Sequence, residues 1–97
     1  MSKKFKLRRQ IDGLVYYFEK ISGVAKGAIY ERSDAAVRIH FDPHLGWISF
    51  NPTDGIMNGR VWDTPVNKQG DYPTEGMWIS QKGDKSYVYK LEYENSP

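Results

Sequence analysis

Residues 51–76, NPTDGIMNGRVWDTPVNKQGDYPTEG, separate two segments that alternate apolar and polar residues at strand spacing. How this stretch is read decides the fold. It holds four glycines, three prolines, three asparagines and three aspartates. Asp54-Gly55, Asn58-Gly59, Asp63-Thr64-Pro65 and Gln69-Gly70-Asp71 are successive turn signals, because Asp and Asn side chains bond the local backbone and Gly accepts a positive φ. Structureless connections of this length are uncommon in compact domains unless they bind something or are disordered. A disordered linker is poorer in large apolar residues than a stretch carrying Ile56, Met57, Val61, Trp62, Val66 and Tyr72. The composition therefore predicts one long, ordered loop over 51–76, folded down as an Ω-like excursion.

The segments on either side read as β-hairpins. Downstream, residues 77–94 alternate around Lys82-Gly83-Asp84-Lys85; a four-residue loop keeps the two lysines from facing each other and pairs Trp78 with Tyr89 and Ser80 with Tyr87. Tyr87, Tyr89, Leu91 and Tyr93 then share one face, and Met77, Ile79 and Val88 the other. Upstream, residues 37–51 turn at Pro43-His44-Leu45-Gly46, where proline presets a type I turn and Gly46 can take the positive φ that closes it. The expected register pairs Phe41 with Ile48 and Ile39 with Phe50. It gathers Val37, Ile39, Phe41, Ile48 and Phe50 into the core and leaves Arg38, His40, Asp42, Trp47, Ser49 and Asn51 on a polar outer face, with Trp47 exposed.

Nearest the N-terminus, Asp12-Gly13 is a strong two-residue type I′ signal. It pairs Ile11 with Leu14, Arg9 with Tyr16, Leu7 with Phe18 and Phe5 with Lys20 on a mostly apolar face. Arg9 is a misfit there and must either snorkel past Tyr16 or meet a carboxylate. Residues 27–32 form a further short strand in which Ile29 and Tyr30 are both reasonable inward residues. No window shows a capped 3.6-residue apolar period, and Gly23, Gly27 and β-branched residues oppose a helix over 20–36. The reading is all-β: an antiparallel meander of six or seven strands in a single domain, 1–97, forming a small barrel or a compact sandwich.

Composition bounds the function. The 97 residues are 39% hydrophobic and 27% charged, the profile of one globular domain with one modest core. Three tryptophans, seven tyrosines and four phenylalanines exceed what such a core needs, so some rings belong on the surface, where they suit recognition. The net charge of +2 is concentrated in Lys3, Lys4, Lys6, Arg8 and Arg9. That leaves room for a phosphate or acidic-surface contact. The chain has no cysteine, hence neither a disulfide framework nor a thiolate metal site. It also lacks the apolar run of a secretory leader or a membrane span, so the expected setting is cytoplasmic, with no membrane association.

Three groups of residues could carry chemistry. His40, Asp42 and His44 have the types and proximity for a zinc site, or for general acid–base cleavage of a phosphodiester with Arg32, Arg38 or Arg60 stabilising the developing charge. Residues 40–55, with His40-Phe41-Asp42-Pro43-His44-Leu45-Gly46 and Thr53-Asp54-Gly55, are similar to the Trp-Asp, His-Gly and Asp-Gly pattern of the ribosome-inactivating colicin nucleases. The glutamate which that family places four residues beyond its histidine falls on Ile48, which removes a group its chemistry depends on. Two solvated histidines and a turn-forming Asp42 are the simpler account, so no metal, cofactor or catalytic residue is expected. Lys4, Lys6, Arg8 and Tyr17 share one face of the first hairpin, an arrangement suited to single-stranded nucleic acid or a nucleotide, and suited equally to lysines that blunt a sheet edge. Trp47, Met57, Arg60, Trp62 and Tyr72, in and beside the long stretch, are of the types that dominate protein interfaces. The leading expectation is a non-enzymatic accessory or inhibitory module that binds a macromolecule, most simply a protein, through that loop.

Overall fold

Strand alternation builds the whole molecule, and the computed structural model describes residues 4–94. Eight strands follow one another: β1 Lys4–Arg9, β2 Val15–Ser22, β3 Ile29–Arg32, β4 Arg38–Asp42, β5 Gly46–Phe50, β6 Met57–Val61, β7 Gly76–Lys82 and β8 Lys85–Tyr93. Each pairs antiparallel with its sequence neighbours, and β1 pairs with β8, so the sheet closes into an up-and-down barrel. Closure satisfies the backbone groups an open sheet leaves at its margins. Two short 3₁₀ turns, Ala25–Gly27 and Val66–Lys68, are the only helical pieces among the described residues. No helix among them is long and apolar enough to cross a membrane.

The barrel interior is largely aromatic. Phe5 stacks on Phe18 with ring centroids 5.3 Å apart and meets the edges of Tyr30 and Tyr93 at 5.1 and 5.7 Å. Tyr30 continues the chain of rings to Trp47, which packs against Phe41 at 5.5 Å. Leu7, Ala28, Ile39, Val61, Trp78 and Leu91 complete the buried cluster. Each such ring pair is worth about 0.5–1.5 kcal/mol beyond the area it buries, so this cluster anchors the fold.

The first hairpin keeps its expected faces with a different register. Arg9 N donates to Leu14 O at 2.7 Å, and Gly13 N to Arg9 O at 2.7 Å, which makes the loop longer than the two-residue turn. Phe5 now faces Phe18, and Leu7 faces Tyr16. A displacement of two residues leaves every side chain on its original side. The longer loop brings Phe5 onto a ring instead of Lys20, and lets the Asp12 carboxylate accept from Leu14 N at 3.1 Å.

The second hairpin is displaced by one residue, and its faces exchange. Phe41 pairs with Trp47, Ile39 with Ser49, and Asp42 with Gly46, because Gly46, at φ +83°, is already the first residue of β5. Three residues lie between the strands instead of four. Trp47 and Ser49 therefore point inward, and Ile48 and Phe50 take the other face of β5, where Ile48 is nonetheless buried, 5% exposed, and Phe50 only partly covered. The expected exposed Trp47 is instead fully buried.

The third hairpin has the expected register throughout, with Trp78 opposite Tyr89, but a tighter turn: Gly83 and Asp84 alone connect the strands, and Lys82 and Lys85 are Cα partners. The largest departure lies in 51–76, which contains β6. Asn58-Gly59 is a strand segment rather than a turn, and a bulge lies where β6 meets β5. Gly59 is needed there for space: a Cβ would sit 2.6 Å from Ser49 Oγ and 3.2 Å from the Ile79 carbonyl oxygen. The expected single long loop is thus two connections, the second covering residues 62–75.

Candidate functional site

That second connection seals one end of the barrel. Gln69, 6% exposed, accepts from Trp47 N through Oε1 at 2.9 Å and donates from Nε2 to the Thr64 carbonyl at 2.9 Å. A side chain on Gly46 would overlap this amide. Trp47 Nε1 donates to Gly70 O at 3.0 Å, and Trp78 Nε1 to Thr74 O at 2.8 Å. The Tyr93 hydroxyl donates to the carbonyl of Pro73, which is itself buried. Both buried indoles thus satisfy their single donor on the loop's backbone, as burial requires.

The opposite end is open. Here the strand ends carrying Arg9, Tyr16, Arg32, Asn51, Asn58, Gln81 and Tyr87 surround a cavity of about 350 Å³. Its floor is apolar, formed by Leu7, Phe18 and Trp78, with Tyr16, Tyr87 and Tyr89 on one side and Ser49, Asn58, Ser80 and Gln81 on the other. Gly59 carries no side chain into this space, which leaves room for Ser49 Oγ to donate to Asn58 Oδ1 at 2.5 Å.

Two arginines stand at the rim, each held from two sides. The Arg9 guanidinium lies 5.0 Å from the Tyr87 ring and pairs with Asp12 through Nε at 3.0 Å and Nη2 at 2.6 Å. Arg32 lies 4.3 Å from the Tyr16 ring and pairs with Asp34 at 2.6 Å. The Arg9 pairing, helped by the Leu14 N–H, holds the Asp12 carboxyl down to about 2. Asp12 in turn raises Arg9 further above its already high ordinary value. Burial, partly offset by the neighbouring Arg9, pushes the Tyr89 phenol upward, so it stays neutral at physiological pH. The expected misfit at Arg9 is resolved here: its carboxylate comes from its own turn.

The expected sites fare differently. The Asp42 carboxylate is committed to the turn backbone, accepting from His44 N at 2.8 Å and Leu45 N at 3.0 Å, and these bonds lower its pKa. His40 packs its ring on Phe50 at 4.5 Å, and His44 is exposed on the turn. No group of three His, Cys, Asp or Glu among the described residues could hold a metal. On the first hairpin, Lys4 pairs with Glu19 at 3.4 Å and Arg8 with Glu92 at 3.3 Å, while Lys6 sits opposite the exposed Tyr17. This face alternates in charge and is not a basic track. Nor is β1 an edge, because β8 covers it. Of the expected interface residues, Trp47 is core and cannot meet a partner. Met57 and Trp62 are exposed at 41% and 65%, Arg60 is exposed between Ile48 and Ile79 on neighbouring strands, and Tyr72 is half exposed on the sealing loop. Sequence reasoning missed the cavity, and its one clue was the charge at Arg9 on an otherwise apolar face.

Comparison of the chain with protein-family models, curated proteins and solved structures finds no match.

Proposed function

We propose that the protein is a small non-enzymatic binding module of the cytoplasm that takes a small organic molecule into the open end of its barrel. The contrast between the two ends supports this reading. One is closed by buried side-chain-to-backbone hydrogen bonds, whereas the other keeps a cavity of about 350 Å³ with an apolar floor and a few convergent polar groups. Pockets for small ligands have this size and composition. The described residues that line it include no histidine, carboxylate or thiol to serve as a general base. Recognition rather than turnover is the chemistry these groups support. A thermal-shift screen of small molecules against the parent and Ser80→Trp, whose indole fills the cavity, tests the reading. A ligand at 100 times its Kd stabilises by about 2.7 kcal/mol, a rise of more than ~10 °C for a domain of this size. Such rises should vanish in Ser80→Trp. Compounds that act equally on both proteins, or none that act at all, would speak against the mouth as a site.

A second reading is favoured by the outward group on and beside β6. Arg60 is paired on both sides, Met57 with Phe50 on β5, and Trp62 N donates to Met77 O on β7, so the backbone holds all three for a macromolecular partner at little cost in ordering. Trp62→Ala should weaken capture of a protein partner by more than about 1 kcal/mol while moving the thermal midpoint little. A collapse of the fold in this variant would reassign the ring to the core.

A further inference from the structure

Resting on the open end as the binding site, we infer that its ligand is a flat aromatic anion, inserted ring first, with its acidic group held by Arg9 and Arg32. Charge carries the first step. The described lining contains two guanidiniums and no acidic residue. The compensating Asp12 and Asp34 lie in the outer turns with 47% and 62% of their side chains exposed, against 20% and 22% for the two arginines. The cations thus line the mouth while their counter-charges face water, where screening weakens them.

Donor geometry carries the second. A guanidinium has five N–H donors in a rigid fork suited to carboxylate, phosphate or sulfonate. Asp12 engages Nε and Nη2 of Arg9, and Asp34 engages Nε of Arg32, which leaves the Nη1 amino group of each outside these ion pairs; Arg9 also interacts with the Tyr89 hydroxyl inside the cavity, so Arg32 holds the more open fork. Each fork is also held over a tyrosine ring, at 5.0 and 4.3 Å, so little freedom is lost when an anion docks. Charge-assisted bonds to such pre-set donors are the strong ones.

The rest of the cavity selects the body of the ligand. Tyr16 and Tyr89, with centroids 6.1 Å apart, line one wall above Phe18 and Trp78. Ring faces and edges of this kind favour a planar aromatic over a branched aliphatic of equal volume. An aromatic phosphate, sulfonate or carboxylate shares this chemistry.

Two fluorescent probes with one ring system separate the contributions: 8-anilinonaphthalene-1-sulfonate carries the anion, and N-phenyl-1-naphthylamine lacks it. Titrated into the full chain, the sulfonate should bind with one-to-one stoichiometry and at least about tenfold more tightly than the amine. Arg32→Gln should remove that advantage and leave the amine's affinity unchanged. If the variant does not fold, added salt on the parent replaces it and should weaken the sulfonate alone. Equal affinities, or a sulfonate affinity indifferent to Arg32→Gln and to salt, would overturn the anion assignment and leave the mouth as a neutral-ligand site. Binding of neither probe, or binding that survives Ser80→Trp, would overturn the mouth reading as well.

Discussion

Replacing Gln69 tests whether the sealed end is held as described. In Gln69→Ala, the Trp47 N–H loses its acceptor at a buried position, a loss of about 1–3 kcal/mol. The partly buried bond to the Thr64 carbonyl adds about 0.5–1.5 kcal/mol. The expected total is about 3 kcal/mol, which lowers the melting midpoint of a domain this size by roughly 15 °C. Gln69→Glu is the sharper probe, since it keeps shape and removes only the donor. One carboxylate oxygen can still accept from Trp47 N, but the other then faces the Thr64 carbonyl. A penalty of about 2 kcal/mol raises the new carboxyl's folded-state pKa by about 1.5 units, from an ordinary ~4.3 to nearly 6. Because the raised value favours the protonated form in the folded state, the penalty is full above about pH 6 and fades as pH falls toward about 4. At that lower pH the acid O–H donates to Thr64 O. Urea unfolding followed by tryptophan fluorescence at pH 7.5, 5.5 and 4.5 measures the difference from the parent. A Gln69→Glu protein within about 0.5 kcal/mol of the parent at all three pH values would show that the bond to Thr64 O contributes nothing to the seal, and a Gln69→Ala protein equally close would show the same of the bond from Trp47 N.

Two further outcomes follow from the geometry. Gly59→Ala forces a methyl group against Ser49 Oγ and the Ile79 carbonyl and should destabilise by about 1–3 kcal/mol; adding Ser49→Ala should restore part of this, and a strictly additive pair would refute the clash. The Asp12 carboxyl, lowered to about 2, contributes stability that is complete above its unfolded value near 4 and lost as pH falls through 2; Asp12→Asn should erase this part of the acid transition, as read by circular dichroism.

The sequence made the fold class legible because most strands declare themselves locally. Alternation around Lys82-Gly83-Asp84-Lys85 gave the register of the third hairpin even though the turn was tighter than expected, since both turn lengths share that pairing. The second hairpin shows how narrow such inferences are. Assigning Gly46 to the turn instead of the strand changes the count by one, and Trp47 moves from an imagined binding face to the centre of the core. β6 was hidden because Asn58-Gly59 has turn chemistry and little strand propensity; its conformation is imposed by the strands on either side and by the space Ser49 requires. The cavity was not legible at all. Arg9 and Arg32 end strands on either side of β2 and so share one end of the sheet, but that end becomes the mouth of a cavity only when β8 closes onto β1. What could be read was a charge where an apolar residue belonged.

The pairing of β1 with β8 has a practical consequence. Glu94 N donates to Lys4 O at 3.1 Å, and Phe5 lies opposite Tyr93, beside the sealing loop and at the end away from Arg9. Labels or surface tethers attached at Lys4 or Glu94 should therefore stand clear of the mouth. The same adjacency makes the protein a candidate for circular permutation, with a short linker joining old ends and new ones cut between Gly83 and Asp84.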